Sequence, residues 1–324
     1  MSLNITDHFR KTFANSFGDA VQQKNTRLSK AAMVETGCIG TAYQISNVLA
    51  VEDEETTGQR YKKVVLRDLE TESRWIYPQE FQIPTGESKW DEKKLAPTVM
   101  PGGKHVVAHS MAYARRCDKV LVNGLLGTNY TGKTGSVSQE ITQIVYGDHY
   151  PATPTDVGMT AYKVIEAIRM LTAAEVWNDD ARAAGIKLWG LLDSELEAQL
   201  RVAADTHDGG RLFGKEYGLP PVYDENGNLR FWLGVNWIGY EGLLTSHTAH
   251  AADNGSDSHV KRSAIWTSDA LHFKVWADIQ TSVDRRPDLS NAVQFLSQYM
   301  LGASRDDEKK VVEIQCVSPI VLAS

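Results

Sequence analysis

Gly127-Thr-Asn-Tyr-Thr-Gly132-Lys133-Thr134 matches G-x-x-x-x-G-K-[ST], the loop whose amides cradle nucleotide phosphates, letter for letter. That chemistry needs a buried strand before the glycines and a helix starting at the Lys-Thr pair, so that helix N-terminus and loop hold the anion together. Here a helical pattern precedes the loop. The next residues are Gly135-Ser-Val-Ser-Gln-Glu, with glycine at the would-be first turn. Asp193, after the apolar run Ile186 to Leu192, is in place as a second-site carboxylate. The order of elements is nevertheless wrong, and a glycine-rich turn leaving a long helix is the better reading. A P-loop nucleotide-binding protein using Gly127 to Thr134 is the alternative.

Two other groups of residues could do chemistry. His247, His250 and His259 crowd one segment with Asp253 and Asp257, a composition that suits zinc. The H-x-x-H spacing falls short of a helical i, i+4 pair, and Gly255 marks a loop, so a polar surface loop is expected. The acids of Asp224-Glu-Asn226-Gly227-Asn228 read as turn chemistry, because calcium-loop spacing fails past Asn228. No G-x-S-x-G or similar motif supports a hydrolytic triad. Cys38, Cys117 and Cys316 are odd in number and far apart, which argues for a reducing compartment and against both a disulfide framework and a cysteine zinc site. The expectation is a protein that is not an enzyme, with no catalytic, metal or cofactor-binding residue.

The elements that would position these residues are legible in part. Val107, Met111, Ala114, Cys117 and Leu121 recur at three- and four-residue steps and predict one apolar face of a helix over 104–124. His109, Arg116, Lys119 and Asn123 are expected on the opposite side. Glycines at 102, 103, 124 and 127 mark the two ends. Before it, Tyr43 to Val48 and Tyr61 to Leu66 are β-branched and aromatic enough to be strands. Between them Glu52, Asp53, Glu54 and Glu55 form an acidic tip, and the returning strand carries Arg60, Lys62, Lys63 and Arg67. Such a hairpin is suited to meeting a partner's charges, and equally to standing in solvent with both signs interspersed. Trp75 to Phe81 is expected to end the strand section, with Pro84, Pro97 and Pro101 in an extended connection.

After a boundary at Tyr150 to Thr155, a helix is expected over Ala161 to Val176. A buried strand over Ile186 to Leu192 comes next, then a capped helix from Asp193 to Leu200. Leu219 to Leu233 reads as a hairpin with an Asn-Gly turn. Asn291 to Leu301 is helical in pattern with Gly302 as its cap, and Val311 to Cys316 alternates as a strand.

The chain has 324 residues, a net charge of −7, 42% apolar and 23% charged residues, ordinary for a globular protein with a sizeable core. No apolar run approaches the ~20 residues that span a bilayer. The first 17 residues lack the apolar core of a secretory signal. Mild acidity disfavours a dedicated nucleic-acid binder. An arm, a protruding hairpin and a long helix are poor parts for an isolated monomer, since uncovered edges invite pairing. They make sense when neighbouring copies cover them.

The ordered set of motifs resembles the major capsid proteins of tailed bacteriophages over about residues 40 to 318. Arg74-Trp75-Ile76-Tyr77-Pro78 leads toward the helix. Ala112-Tyr-Ala-Arg115-Arg116-Cys-Asp118 runs into the turn Gly124-Leu-Leu-Gly127-Thr-Asn-Tyr-Thr-Gly132. Ala184-Gly185-Ile-Lys-Leu then leads to Asp193-Ser-Glu-Leu, and Arg286-Pro287-Asp288 runs through Met300-Leu-Gly302-Ala-Ser-Arg305 to Val311-Val-Glu-Ile. The resemblance implies an α+β protein with the tailed-phage (Hong Kong 97-like) capsid fold. Its parts would be an N-terminal arm (1–36), an extended β-hairpin loop (37–90), and a peripheral domain (91–154) with its spine helix at 104–124. An axial domain (155–300) and a return strand to the peripheral domain (301–324) complete it.

The function implied is structural: pentamers and hexamers of an icosahedral shell around double-stranded DNA, located in the virion and assembled in the host cytoplasm. Implied partners are other copies of the chain, portal, scaffolding and decoration proteins, and packaged DNA by non-specific proximity, with no membrane. Inter-subunit contact is expected at Glu52, Asp53, Glu54, Glu55, Arg60, Lys62, Lys63 and Arg67. Some members crosslink lysine to asparagine; Lys62 and Lys63 lie in the right loop, but no partner asparagine or acid is identified. An N-terminal scaffolding segment is not expected.

Lys133→Ala is therefore expected to leave assembly near normal, and calorimetry to detect no ATP or GTP affinity in the parent protein. Saturable nucleotide binding that disappears in the variant would restore the phosphate-loop reading.

Overall fold

A computed structural model describes residues 23–48, 68, 71–87, 102–146, 158–206, 221–246 and 260–317. One long helix, α1 (Gly102–Leu126), lies at its centre. At ~1.5 Å per residue it is about 38 Å long. Met111, Ala114, Cys117 and Leu121 are buried as their spacing predicts, while Val107 at the helix's first turns is largely exposed. His109 contradicts the expectation for the opposite side: it is 2% exposed. It faces a sheet that covers more of the helix than the apolar residues alone outline.

That sheet has the order β1-β14-β15-β4, made of β1 (Met33–Thr36), β4 (Gln79–Glu87), β14 (Leu271–Arg286) and β15 (Ala292–Arg305). The segment expected as a helix over 291–301 is thus a strand. Its apolar residues allow helical spacing, but thirteen registered pairs with β14 and nine with β4 decide for strand. Phe295, Ser297, Tyr299 and Leu301 then fall on one face by the two-residue period. Gly302 is no cap; its missing Cβ lets the Tyr77 carbonyl oxygen approach to 2.8 Å of where that atom would stand. Pro84 likewise lies inside β4, opposite Leu296, and not in a connection. An edge strand tolerates it because one side needs no donor.

A second sheet, antiparallel β2-β3-β5-β6, comprises β2 (Tyr43–Val48), β3 (Thr71–Ile76), β5 (Asn129–Thr131) and β6 (Val137–Gln139). The third is mixed and has the order β7-β16-β13-β8-β11-β10-β9, with β12 (Leu244–Ser246) also pairing β13. Its strands are β7 (Ile144–Tyr146), β8 (Leu188–Leu192), β9 (Val222–Tyr223), β10 (Leu229–Trp232), β11 (Val235–Gly239), β13 (Val260–Thr267) and β16 (Val311–Val317). Helix α2 (Ala161–Ala173), the short α3 (Asp179–Ala183) and α4 (Ser194–Thr206) complete the fold. The expected strands at β2, β8 and β16 are present. So are the helices at α2 and α4 and the hairpin turn, where Gly227 has φ +78° and its N–H donates to Asp224 O at 2.8 Å. The strand expected over 61–66 and the boundary over 150–155 lie outside the described residues.

The third sheet separates two cores. On β13, Ala264 and Trp266 point into the core shared with α1, while Ile265 points into the core beneath α2 and α4. Val312, Ile314 and Cys316 on β16 join Ile265. The segment before β1 belongs to this fold as well. Leu28 and Ala31, in and beside a 3-10 turn (Ser29–Ala31), are each 1% exposed in the α1 core. The indole N–H of Trp266 donates to Ala31 O at 3.0 Å. The arm expected over 1–36 therefore docks, from residue 23 on, upon its own subunit.

Helix and sheet meet most closely at Gly124, where an added Cβ would lie 2.7 Å from Ala303 Cβ and from its carbonyl carbon. Glycine in a helix interior ordinarily costs ~1 kcal/mol relative to alanine. Here the sign should reverse, because overpacking costs ~1–3 kcal/mol. Gly124→Ala is expected to lower the melting temperature; a raised or unchanged value would show that α1 and β15 are free to separate.

Candidate functional site

The most concentrated chemistry among the described residues sits where α1 ends. A helix leaves its last carbonyls without intrahelical partners, and in the interior these must be satisfied by side chains. Asn129 Nδ2 donates to Gly124 O at 3.0 Å, Arg262 Nη2 to Leu126 O at 2.7 Å, and Arg305 Nη1 to Leu125 O at 3.3 Å and also to Gly127 O. Arg305 Nη2 continues to Gln139 O at 2.8 Å. Two guanidinium groups thus meet the negative end of the helix macrodipole, the favourable sign.

Each arginine has a carboxylate. Arg305 Nε donates to Glu308 Oε1 at 3.1 Å, and Glu308 is gripped from the other side by Arg74, through Nη1 at 2.8 Å and through Nη2. Arg74 Nη1 also reaches Gln139 Oε1 at 2.9 Å. Arg74 and Arg305 are at most 1% exposed. Burial holds the Arg305 pKa below the usual arginine value, opposed by Glu308. The bidentate Glu313 pair, at 2.7 and 2.6 Å, raises that of Arg262. These charges are engaged with one another and with the carbonyls at the end of α1.

The glycine-rich segment is part of the same construction. Gly127 N–H closes the helix on Asn123 O at 2.8 Å, and β5, a turn at Gly132 to Gly135 and β6 come next as a hairpin. No helix starts at Lys133, which is exposed. The turn's carbonyls face inward: Trp75 Nε1 donates to Gly132 O at 2.6 Å and Tyr77 Oη to Gly135 O at 3.3 Å. The P-loop alternative fails on this geometry. Asp193, its would-be second carboxylate, instead caps α4 through Leu196 N–H at 2.7 Å and pairs with Lys261.

The expected inter-subunit residues Glu52, Asp53, Glu54, Glu55, Arg60, Lys62, Lys63 and Arg67 lie outside the described residues, as do His247, His250, Asp253, Asp257 and His259. The base of the hairpin that carries the first group is described. There β2 and β3 pair from Tyr43 opposite Ile76 to Val48 opposite Thr71. Asn47 Nδ2 donates to Asp306 Oδ1 at 2.5 Å, and Lys310 joins Asp306 and Asp269 at 2.7 and 2.8 Å. Both carboxylates hold the Lys310 pKa above its usual value despite burial, which opposes them.

A third polar group crosses the first sheet. His109 Nε2 bonds Thr85 Oγ1 at 3.0 Å, and Nδ1 bonds Ser297 Oγ at 2.7 Å, which in turn meets Thr281 Oγ1 at 2.9 Å. Burial, reinforced by His105, lowers the His109 pKa and favours the neutral ring. Sequence reasoning missed this histidine, Arg74, Arg305, Glu308 and Lys310. The run Arg305-Asp-Asp-Glu-Lys-Lys310 reads as a solvated charged turn, and no local signal marks it as interior.

Among the described residues no group of three or more His, Cys, Asp and Glu side chains could hold a metal ion, and no helix is long and apolar enough to cross a membrane. The chain matches the family model described as phage capsid protein over residues 5–318. A search of curated proteins finds no match. Among solved structures it is similar to the capsid of cyanophage P-SCSP1u, at 14% identity and a TM-score of 0.61 over 98% of this chain and 95% of that one. Similarity to the capsid of Ralstonia phage GP4 has 11% identity and a TM-score of 0.66, covering 97% and 96%. The acidic-stable capsid of Helicobacter pylori bacteriophage KHP30 gives 12% and 0.66, covering 98% of each chain.

Breaking a buried ion pair from one side costs ~3–5 kcal/mol, against ~0–1 kcal/mol for an exposed one. Arg305→Met should therefore strongly destabilise the protein in urea titrations. Arg286→Met, which removes the half-exposed pair with Asp288 at 2.6 Å, should change little. Equal effects would remove the helix-end network from its central place.

Proposed function

The chain belongs to the phage capsid protein family, and from that premise we infer how this major capsid protein builds its shell. Copies assemble as pentamers and hexamers that close an icosahedral shell around double-stranded DNA, in the host cytoplasm, without catalysis. The observation that carries this reading is the family match across residues 5–318. The shared fold with capsid structures supports it.

The polar interior fits a structural role. Its charges are spent on the end of α1 and on the base of the β2–β3 hairpin, where they hold elements in fixed relation. The division into a peripheral unit around α1 and an axial unit is supported by the two apolar cores. We place the β14–β15 hairpin with the peripheral unit, because its buried face packs on α1. Contact between neighbouring copies through the acidic tip Glu52 to Glu55 and the basic strand residues Arg60 to Arg67 remains the proposal made from charge.

Electron microscopy of the purified protein should show shells or capsomer rings, and a monodisperse monomer at high concentration would count against the assembly reading. Replacing Glu52, Asp53, Glu54 and Glu55 by lysine tests the contact. Like charges across an interface cost several kcal/mol, screened over ~8 Å at physiological salt. The variant should keep its circular dichroism spectrum and lose assembly at low salt, with partial recovery at high salt. Wild-type assembly at every salt concentration would leave the tip a solvated feature.

A further inference from the structure

Asp118 sits in the middle of α1, on the fifth turn, and is fully buried. Aspartate is a poor helix former, and an isolated buried carboxylate costs far more than it returns to the helix. No described basic side chain forms an ion pair with it. Its partners all come from the segment ninety residues upstream. Arg27 N–H lies 3.0 Å from both carboxylate oxygens, Leu28 N–H lies 3.1 Å from Oδ1, and Gln23 Nε2 donates to Oδ2. Every partner is a donor, so the site needs a group that only accepts. A carboxylate is that group, and asparagine would turn an NH2 toward N–H groups.

We propose that Asp118 is a positioning residue for assembly, a latch that fixes residues 23–36 on α1 and thereby sets how this subunit presents its arm and hairpin to neighbouring copies. The proposal rests on the shell-building function inferred above. What the latch holds is a continuous strap. After Leu28 and Ala31 enter the core, β1 pairs in parallel with β14 from Met33 opposite His272 to Thr36 opposite Val275. Gly37 and Cys38 N–H then donate to Val275 O at 2.9 and 3.2 Å, and Trp276 Nε1 to Gly40 O at 3.0 Å. Three residues later β2 begins the hairpin. A strap fixed at Asp118 therefore leaves the chain little slack before the hairpin base, which Asn47 and Asp306 hold at the far end. At its near end, Arg27 Nη1 donates to Gly239 O at 3.0 Å and ties the latch to β11.

A purely local cap would produce part of this pattern, and the two roles differ in what they disturb. Asp118→Asn in the full chain is read by amide hydrogen exchange and by electron microscopy of assembly products. If the latch positions the strap, the Arg27 and Leu28 amides and those of β1 exchange faster by about tenfold or more, the change expected from losing one charge-assisted hydrogen bond, while β13 and β16 keep wild-type protection. Assembly then shifts from closed shells to capsomers or misshapen particles. Loosened strap amides with wild-type shells would reduce Asp118 to a local cap, and unchanged exchange would overturn the latch itself. If Asp118→Asn is insoluble, Arg27→Pro, which removes the amide donor that lies 3.0 Å from both carboxylate oxygens, carries the test by the same two readouts, followed at the Leu28 and β1 amides. Its wild-type behaviour in both would likewise overturn the proposal. Parent protein that forms no shells would instead fail the assembly function, independently of the latch.

Discussion

The rest of the structure depends on how α1 ends. A 25-residue helix stops in the interior and not at the surface, so its last carbonyls need donors that water cannot supply. Arg305, Arg262 and Asn129 supply them from three different strands. The cost of burying the Arg305 and Arg74 guanidinium groups is offset by Glu308, which they share, while the half-buried Arg262 has Glu313. One set of charges therefore fixes the helix, the β14–β15 hairpin, the second sheet and the turn after β15 relative to one another. Buried ion pairs add little to stability compared with apolar residues of the same volume, but removing one partner is expensive. That asymmetry makes the arrangement specific even where it is not strongly stabilising.

The same logic recurs at the edges. Asn47, Asp306, Lys310 and Asp269 bolt the hairpin base to the body, and His109 with its hydroxyl partners ties α1 to three strands. Between these polar points the apolar packing does the bulk work. The third sheet serves both cores at once because its strands alternate, with Trp266 on one side and Ile265 on the other. For a shell protein this is a sensible division. Subunits of a shell meet neighbouring copies, and stiff attachments between their elements keep those meetings at fixed angles.

Much of this is legible in the residues alone. Local patterns suffice for α1, α2, α4, for the strands β2, β8 and β16, and for the Asn-Gly hairpin, because each depends on periodicity and turn residues within a dozen positions. The order of elements around Gly127 to Thr134 is enough to set aside a phosphate loop, and the hairpin found there agrees. The family resemblance, read from motifs spread over residues 40 to 318, agrees with the family match across residues 5–318.

Tertiary structure alone decided the remainder. Residues 292–305 hold apolar side chains at spacings compatible with helix or strand, and only pairing with β14 and with the far upstream β4 selects strand. His109, Arg74, Arg305 and Asp118 are polar letters in polar-looking contexts, and composition assigns such residues to the surface. They are buried because their partners converge from distant segments, a fact carried by no window of the chain. In the sequence by itself, local periodicity and turn residues were enough for α1, α2, α4, β2, β8, β16 and the Asn-Gly turn, since each rests on residues within a dozen positions of one another. Which of its charges are interior, and what they hold in place, was decided by long-range packing, since a buried charge is tolerable only once its partners have been brought to it.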